Sequence, residues 1–167
     1  MRLVVIGGTA AGLSAASRVR KYLPDAEITV IERSGYVSYG ACGLPYYVSG
    51  LIEEPDDLVS LTPDALATKR DIQVLTHHEA VAINREEKTV SVTDLDGGEG
   101  LLLKYDALVI ATGANALVPR ALSVKANNVF TLRNVENGIA IRESLAGAKK
   151  AVIIGGGYIG LEMAEAF

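Results

Sequence analysis

The chain has 167 residues, of which 49% are apolar, 22% are charged and 17 are glycine. This composition supports a buried core in one domain, or in one domain and part of another, and it excludes disordered, collagen-like and disulfide-stapled proteins. A net charge of −4 with scattered basic residues argues against a nucleic-acid partner. The sequence has no apolar run of about 18 residues and no secretory signal, so we expect a cytoplasmic protein without a membrane partner.

The first elements predict a βαβ unit. Arg2 to Ile6 form an apolar strand, residues 7–12 form a glycine-rich turn, and a helix of small residues continues to about Tyr22. Pro24 ends this helix, and a second strand runs from Glu27 to Ile31. Alternating elements of this kind predict an α/β fold with a parallel sheet.

The middle of the chain predicts loops, short helices and then a series of strands. Residues 38–50 are rich in glycine and proline and predict loops and short helices, whereas Thr62 and Pro63 fit the N-cap and first residue of a helix. Apolar residues then alternate with polar ones, which predicts strands at Ile72 and Val74, Val81 and Ile83, and Val90 and Val92. A fully apolar strand is expected from Ala107 to Ile110.

The last part of the chain predicts a connector and a second strand-turn-helix unit. The connector includes a short strand from Val129 to Leu132 and a charged helix from about Glu136 to Leu145. A buried strand from Ala151 to Ile154 then leads into a glycine turn and a helix that has no stop signal at Phe167. We therefore expect a fragment of a longer protein. The predicted division is 1–113, 114–149 and 150–167.

Glycine turns between a strand and a helix are typical of dinucleotide-binding proteins. Glycine lets backbone N–H groups approach the pyrophosphate, and the helix N-terminus contributes free donors and partial positive charge. The second turn has glycine at all three positions of this motif, namely Gly155, Gly157 and Gly160. This turn therefore predicts a nucleotide site.

The first turn departs from the motif, because Thr9 stands between the outer glycines Gly7 and Gly12. Its context supports the same function, since Glu32 ends the next strand 25 positions after Gly7. A carboxylate there accepts hydrogen bonds from ribose hydroxyls and disfavours a 2′-phosphate. For one such turn alone, a tight turn without a ligand is an equal alternative, but two turns favour nucleotide binding.

Cys42 is the only cysteine of the chain and forms no intrachain disulfide. Three interpretations are open for it: a buried apolar residue, a reactive thiol, or half of a disulfide with another molecule. Gly40, Gly43 and Pro45 flank Cys42, and such a loop fits a buried, inert thiol poorly.

Together these motifs resemble the FAD-dependent pyridine nucleotide–disulfide oxidoreductases. The resemblance rests on both glycine turns, on Glu32 and Arg33, on the loop from Ser38 to Tyr47 and on Ala111 to Gly113, and it covers essentially the whole chain. The single cysteine is similar to the branch that contains coenzyme A-disulfide reductases, NADH oxidases and NADH peroxidases. The implied fold is a Rossmann-like domain of three layers with a parallel sheet and a β-meander.

The resemblance implies sites for FAD and for NADH or NADPH. The residues implied to bind FAD are Gly7, Gly8, Thr9, Ala10, Ala11, Gly12, Glu32, Arg33, Cys42, Val81, Ala111, Thr112, Gly113 and Arg133. Those implied to bind NADH or NADPH are Gly155, Gly157, Tyr158, Ile159 and Gly160, with Tyr158 covering the flavin until the nucleotide arrives.

The resemblance also assigns the catalytic sulfur to Cys42. Two-cysteine relatives carry the partner sulfur five residues earlier, where this chain has Val37. The oxidised form is then either a mixed disulfide with a small thiol or a sulfenic acid. Oxidases and peroxidases of this branch usually have a histidine at the position of Ala10, so its absence favours coenzyme A-disulfide reductase. An NADH oxidase or peroxidase that uses a Cys42 sulfenic acid is the alternative. Ala41 departs from the asparagine that this branch usually has beside the cysteine, which leaves the identity of the substrate thiol open.

Further positions match those that face coenzyme A in this branch, where basic groups suit its phosphates. They are Ser14, Arg18, Lys21, Ser38 and Arg70. A solvated helix face is the alternative for each of the basic residues, and for Lys21 taken alone it is the preferred interpretation. We expect coenzyme A disulfide or a persulfide as substrate and a homodimer in the intact protein. No metal site is expected, because His77 and His78 have no further ligands at suitable spacing.

Overall fold

A computed structural model describes residues 1–122 and 126–167. The strands are β1 (Arg2–Ile6), β2 (Glu27–Ile31), β3 (Gln73–Leu75), β4 (His78–Asn84), β5 (Thr89–Asp94), β6 (Gly100–Lys104) and β7 (Ala107–Ile110). The α-helices are α1 (Ala10–Tyr22), α2 (Leu44–Ser49), α3 (Pro63–Arg70), α4 (Val135–Ser144) and α5 (Tyr158–Ala166). Short 3₁₀ turns cover Ala41–Gly43, Pro55–Leu58 and Arg120–Leu122.

The chain forms two compact units. The first contains Met1–Tyr39 and Val59–Gly113, and the second contains Gly40–Leu58 and Ala114–Phe167. All seven strands of the described residues therefore belong to the first unit, whereas α2, α4 and α5 belong to the second. The cysteine segment, which lies early in the sequence, thus belongs to the same unit as the last helix.

The first unit is built on a parallel sheet with the strand order β3-β2-β1-β7. Because side chains alternate along a strand, the two faces of β1 belong to different clusters. Val5 packs with Leu13 and Leu66, which come from the helices α1 and α3, while Val4 packs with Val90 of the β-meander. The unit therefore has three layers, which confirms the predicted fold class.

The β-meander consists of β4, β5 and β6 in antiparallel order. The predicted alternation is real in β5, where Val90 and Val92 are buried. In β4 a register shift between Ala80 and Ala82 interrupts the pairing, and Val81 is 58% exposed. The strand β6 was not predicted, because its three consecutive leucines show no alternation of apolar and polar residues.

The start of α3 agrees with its sequence signals. The Thr62 hydroxyl accepts a hydrogen bond from the Ala65 N–H at 3.2 Å, and Pro63 is the first helical residue. Asn134 caps α4 in the same way, through the Asn137 N–H at 3.0 Å. Both helices therefore satisfy part of their free N–H groups with their own side chains.

The second unit packs its helices around a small apolar cluster. Val48 of α2, Ile141 of α4 and Met163 of α5 are its buried members. Gly138 lets α4 approach α2 closely, because a Cβ atom there would lie 3.3 Å from the Leu44 side chain. The helix predicted from Glu136 to Leu145 is confirmed as α4.

Two predicted strands are wrong. Val129 to Leu132 and Ala151 to Ile154 have no strand conformation, and Val152 and Ile154 are 77% and 70% exposed. A strand needs a hydrogen-bonded neighbour, and none of the strands in the described ranges pairs with either segment. An apolar run alone was therefore insufficient evidence for a strand.

Candidate functional site

The first glycine turn is held closely against the end of β7. Gly7 has a φ of +111°, and a Cβ atom at this position would lie 2.2 Å from the carbonyl oxygen of Ala111. A Cβ atom at Gly12 would lie 1.8 Å from the carbonyl oxygen of Gly7. The structure thus brings together three of the predicted site segments: the turn, the start of α1 and Ala111.

The middle position of the turn does not require glycine. Thr9 has a φ of −102° and a ψ of −156°, which is extended backbone that any residue adopts. Gly157 occupies the corresponding position of the second turn, also in an extended conformation, with a φ of −76° and a ψ of 179°. The departure of the first turn from the glycine pattern is therefore sterically permitted.

Glu32 ties the turn to the end of β2. Its two carboxylate oxygens accept hydrogen bonds from the N–H groups of Gly8, at 2.7 Å, and Ser34, at 3.0 Å. The N–H of Ser38 donates to the Gly8 carbonyl at 3.0 Å. Sequence reasoning found Glu32 but missed this backbone bracing, because the spacing alone indicated only a ribose ligand. Each carboxylate oxygen keeps a second lone pair for a ribose hydroxyl.

The start of α1 fits a diphosphate group such as that of FAD. Its first N–H groups have no acceptor within the helix, no side chain caps it, and its first turn has no acidic residue. The helices α3 and α4, by contrast, are capped by Thr62 and Asn134. The free donors lie at the carboxyl ends of parallel strands, where open α/β sheets bind their ligands.

The second glycine turn repeats the geometry of the first. Gly155 has a φ of +113°, and a Cβ atom at Gly160 would lie 2.1 Å from the Gly155 carbonyl oxygen. No atom lies within 4 Å of a Cβ built at Gly156 or Gly157. Helix α5 is also uncapped, and its first residue, Tyr158, is 89% exposed. This turn therefore has open space and free N–H donors for a second diphosphate.

Three further predicted cofactor residues, namely Arg33, Val81 and Arg133, are exposed. Arg33 pairs with Glu79 of β4 at 3.5 Å, and Val81 lies two residues further along that strand. In the second unit, the Arg133 side chain donates to the carbonyl of Ala114 at 2.8 Å. These contacts do not test cofactor binding, so the cofactor roles of Arg33, Val81 and Arg133 stay predictions.

Cys42 lies in the second unit, in the 3₁₀ turn that precedes α2, and is exposed. The interpretation of Cys42 as a buried apolar residue is therefore wrong. The Gly43 N–H donates to the Gly40 carbonyl at 2.9 Å, and a Cβ atom at Gly43 would lie 2.5 Å from Leu58. A side chain at position 43 would therefore press against Leu58, while Cys42 itself is exposed.

The positions matched to coenzyme A contacts lie mainly on one exposed face of α1. Ser14, Arg18 and Lys21 are exposed, and the Arg18 guanidinium lies 4.7 Å from the centre of the Tyr22 ring. Arg70 joins this face through a hydrogen bond to the Ser17 hydroxyl at 3.2 Å. The fifth position, Ser38, has a φ of +52°, a conformation that is unusual for a residue other than glycine.

Sequence reasoning missed Arg20, which fixes the end of α3. Its guanidinium donates to the carbonyls of Pro24, Arg70 and Asp71, and it pairs with the Asp71 carboxylate at 3.1 Å. Arg20 therefore determines where the backbone of Arg70 lies. Because Arg70 and Asp71 are 50 and 51 residues away in sequence, no local pattern could have identified this contact.

The pronounced electrostatic effects lie away from the glycine turns. The guanidinium and backbone N–H of Arg2 hydrogen bond to Asp106 and lower the pKa of that carboxyl to about 2. Backbone N–H groups of Asp96 and Gly97 lower the pKa of Asp94. Asp94 stabilises the turn that follows β5, whereas Asp106, directly before β7, binds Arg2 at the start of β1.

The described part of the chain contains neither a candidate metal centre nor a helix that could span a membrane. No group of three or more candidate ligand side chains that could hold a metal ion occurs within 1–122 and 126–167. In the same ranges, no helix has both the length and the apolar character needed to cross a bilayer.

The chain is similar to a known protein family along its whole length. Residues 1–167 match the family described as pyridine nucleotide-disulphide oxidoreductase. The chain is 38% identical to the coenzyme A disulfide reductase of Staphylococcus haemolyticus and 38% identical to the NADH oxidase of Methanocaldococcus jannaschii. In each case the alignment covers 98% of this chain and 37% of the relative.

A solved protein structure is also similar to this chain over almost its whole length. The NAD-dependent persulfide reductase from A. fulgidus is 48% identical, with a TM-score of 0.93, over 99% of this chain and 31% of that one. The chain thus spans little more than a third of the length of the curated relatives.

Proposed function

Because the chain belongs to the pyridine nucleotide-disulphide oxidoreductase family, whose members are FAD-dependent enzymes, we propose that the protein reduces coenzyme A disulfide, or a persulfide of coenzyme A, with NADH or NADPH. The observation that carries this proposal is the exposed thiol of Cys42, the only cysteine in the chain. A disulfide reductase with one cysteine must obtain its second sulfur from a small molecule.

The first unit supplies the FAD site in this proposal. The uncapped N–H groups of α1 bind the diphosphate, and Glu32 accepts hydrogen bonds from the ribose while it holds Gly8 in place. Ala111 and Thr112 border the same turn, and Gly113 follows them in the chain. Bound there, FAD supplies two-electron transfer between the nicotinamide and the sulfur.

The sulfur chemistry takes place at Cys42. The resting enzyme carries a mixed disulfide between the Cys42 sulfur and a small thiol. Two electrons from NADH or NADPH break this bond, release the small thiol and leave the Cys42 thiolate. The thiolate attacks the next disulfide, restores the mixed disulfide and releases the second thiol. Each cycle thus consumes one reduced nicotinamide, one proton and one disulfide, and it yields two thiols.

The exposed face of α1 supports coenzyme A as the thiol. Arg18, Lys21 and Arg70 provide positive charge for phosphates, and Ser14 and Ser38 provide hydroxyl groups. The relative from Staphylococcus haemolyticus is a coenzyme A disulfide reductase, and the solved relative from A. fulgidus is a persulfide reductase. Coenzyme A disulfide and a persulfide both contain a sulfur–sulfur bond that the Cys42 thiolate can attack.

Anaerobic reduction of the full-length protein tests the proposal. We expect two-electron reduction to release an equimolar amount of coenzyme A. We expect Cys42→Ser to lower disulfide reduction by about a hundredfold or more, while reduction of an artificial dye by NADH or NADPH continues. If no thiol is released and Cys42→Ser keeps full disulfide reductase activity, the proposal is wrong.

A second candidate function is an NADH oxidase or peroxidase that uses a sulfenic acid at Cys42. The similarity to the NADH oxidase of Methanocaldococcus jannaschii favours it, whereas alanine at position 10, in place of a histidine, argues against it. Intact-protein mass spectrometry separates the two candidates. A removable adduct with the mass of coenzyme A supports the first, and the addition of one oxygen atom supports the second.

We also propose that the intact protein is a cytoplasmic homodimer. A reduced cytoplasmic compartment keeps a catalytic thiol available. Light scattering of the full-length protein measures the oligomeric state, and a monomeric mass would contradict the homodimer.

A further inference from the structure

Arg142 of α4 makes side-chain contacts to distant parts of the second unit. Its guanidinium donates to the carbonyl of Ile52 at 3.1 Å and also to the carbonyl of Glu53, 90 and 89 residues away in sequence. The same group lies 4.7 Å from the centre of the Tyr47 ring in α2. One partly buried side chain thus connects α4, α2 and the segment that follows α2.

The segment held by Arg142 supports the cysteine turn. A Cβ atom at Gly43 would lie 2.5 Å from Leu58 and 3.6 Å from Ile52, so these two side chains lie directly against the residue after Cys42. The Gly40 N–H donates to the Leu58 carbonyl at 2.9 Å. The turn that carries the thiol therefore rests on residues 52–58 at both of its ends.

The segment has few other attachments near Ile52. The Ile52 N–H donates to the Tyr46 carbonyl at 3.1 Å, and its carbonyl is bound by Arg142. Glu53 is exposed, and its carbonyl is the second acceptor of Arg142. Loss of the guanidinium would therefore free the start of this segment, and with it one side of the packing around Gly43.

We propose that Arg142 is a positioning residue that fixes the Cys42 turn through Ile52 and Leu58. The expected effect of Arg142 on catalysis rests on the proposed function, in which Cys42 is the reacting sulfur. Arg142 itself touches no reacting atom. A lysine at this position has a single ammonium group and cannot both stack on Tyr47 and reach two carbonyls.

Hydrogen exchange of the full-length protein tests the positioning directly. We expect Arg142→Gln to raise the amide exchange of residues 40–44 by about tenfold, with Arg142→Lys between this variant and the wild type. The matched control is Arg85→Gln, which changes the same residue type on an exposed turn of the first unit. A rise confined to residues 51–54 would overturn the proposal, because Arg142 would then act only on its own contacts.

Kinetics provides the second readout. We expect Arg142→Gln to lower kcat for disulfide reduction by at least about threefold, with an unchanged KM for NADH or NADPH and an unchanged flavin spectrum. An unchanged kcat, together with unchanged exchange at residues 40–44, overturns the positioning role. If Cys42→Ser stays fully active, the proposed function fails, but the exchange result still decides the role of Arg142. If Arg142→Gln does not fold, Arg142→Lys and Tyr47→Leu are compared by the same two readouts.

Discussion

Replacement of Gly12 by alanine tests whether the first glycine turn is constrained by the protein itself. Gly12 is buried in the first turn of α1, and a Cβ atom there would lie 1.8 Å from the Gly7 carbonyl oxygen. Real Cβ contacts essentially never fall under 3.0 Å, so the backbone must move by about 1.2 Å. The Gly7 N–H is bonded to Ile31 at 2.8 Å, and Ala111 lies on its other side, so this movement disturbs β1, β2 and β7 together.

The expected loss of stability is the difference between two opposing effects. Overpacking of a fixed backbone costs about 3 kcal/mol, whereas alanine is better than glycine in a helix interior by about 1 kcal/mol. We therefore expect Gly12→Ala to destabilise the protein by about 2 kcal/mol. The same movement displaces the backbone N–H groups at the start of α1, so we also expect the variant to lose FAD.

Urea unfolding followed by far-UV circular dichroism measures the stability, and the visible absorbance of the purified protein measures retained flavin. The control is Gly156→Ala, because no atom lies within 4 Å of a Cβ at Gly156. We expect this variant to stay within about 0.5 kcal/mol of the wild type. If Gly12→Ala keeps both the wild-type midpoint and its flavin, the reasoning about this turn is refuted.

Three other changes give independent tests. Gly43→Ala should lower the free energy of unfolding by about 1–2 kcal/mol, because its Cβ atom would lie 2.5 Å from Leu58. The control Gly40→Ala should have almost no effect, because its Cβ atom would lie 4.0 Å from the nearest atom. Equal effects of the two substitutions on thermal or urea unfolding would contradict the contact with Leu58. The pKa of Asp106 is lowered to about 2, below its value of 3.8 in the unfolded chain, so its contribution to stability is complete above about pH 4 and is lost as the pH falls through about 2. Asp106→Asn should therefore weaken the dependence of stability on pH between 4 and 2, and an unchanged dependence would exclude the Arg2 pair as its cause. Lys88 has a φ of +52°, so Lys88→Gly should be more stable than Lys88→Ala by about 1 kcal/mol in the same unfolding assay; equal stabilities would mean that this backbone is unstrained.

The local elements of the first unit were predictable from short sequence patterns. The bounds of β1 and β2 agree with the apolar runs, and Thr62 and Pro63 correctly marked the start of α3. These signals succeed because each depends on a few adjacent residues: side-chain alternation, an N-cap hydroxyl, or a fixed proline φ. The same holds for both glycine turns, whose first residues have φ values of +111° and +113°.

The errors have a common physical cause. Ala151 to Ile154 have the composition of a buried strand, but strand formation depends on a hydrogen-bonded neighbour that composition does not reveal. In the opposite case, β6 was missed because its pairing with β5 creates a strand from a sequence without alternation. The exposure of Val81 likewise depends on the register shift in β4.

By itself the sequence determined the two strand-turn-helix units, the acidic residue after β2 and a single cysteine in a glycine-rich loop, because these features depend on residue type and short spacing. Only the tertiary structure decided that Cys42 is exposed, that Glu32 holds the Gly8 amide, and that Arg142 binds the backbone carbonyls of Ile52 and Glu53. Each of these three facts depends on contacts between residues that the folded chain brings together from distant positions. Such contacts are set by strand order and helix packing, which short patterns do not encode.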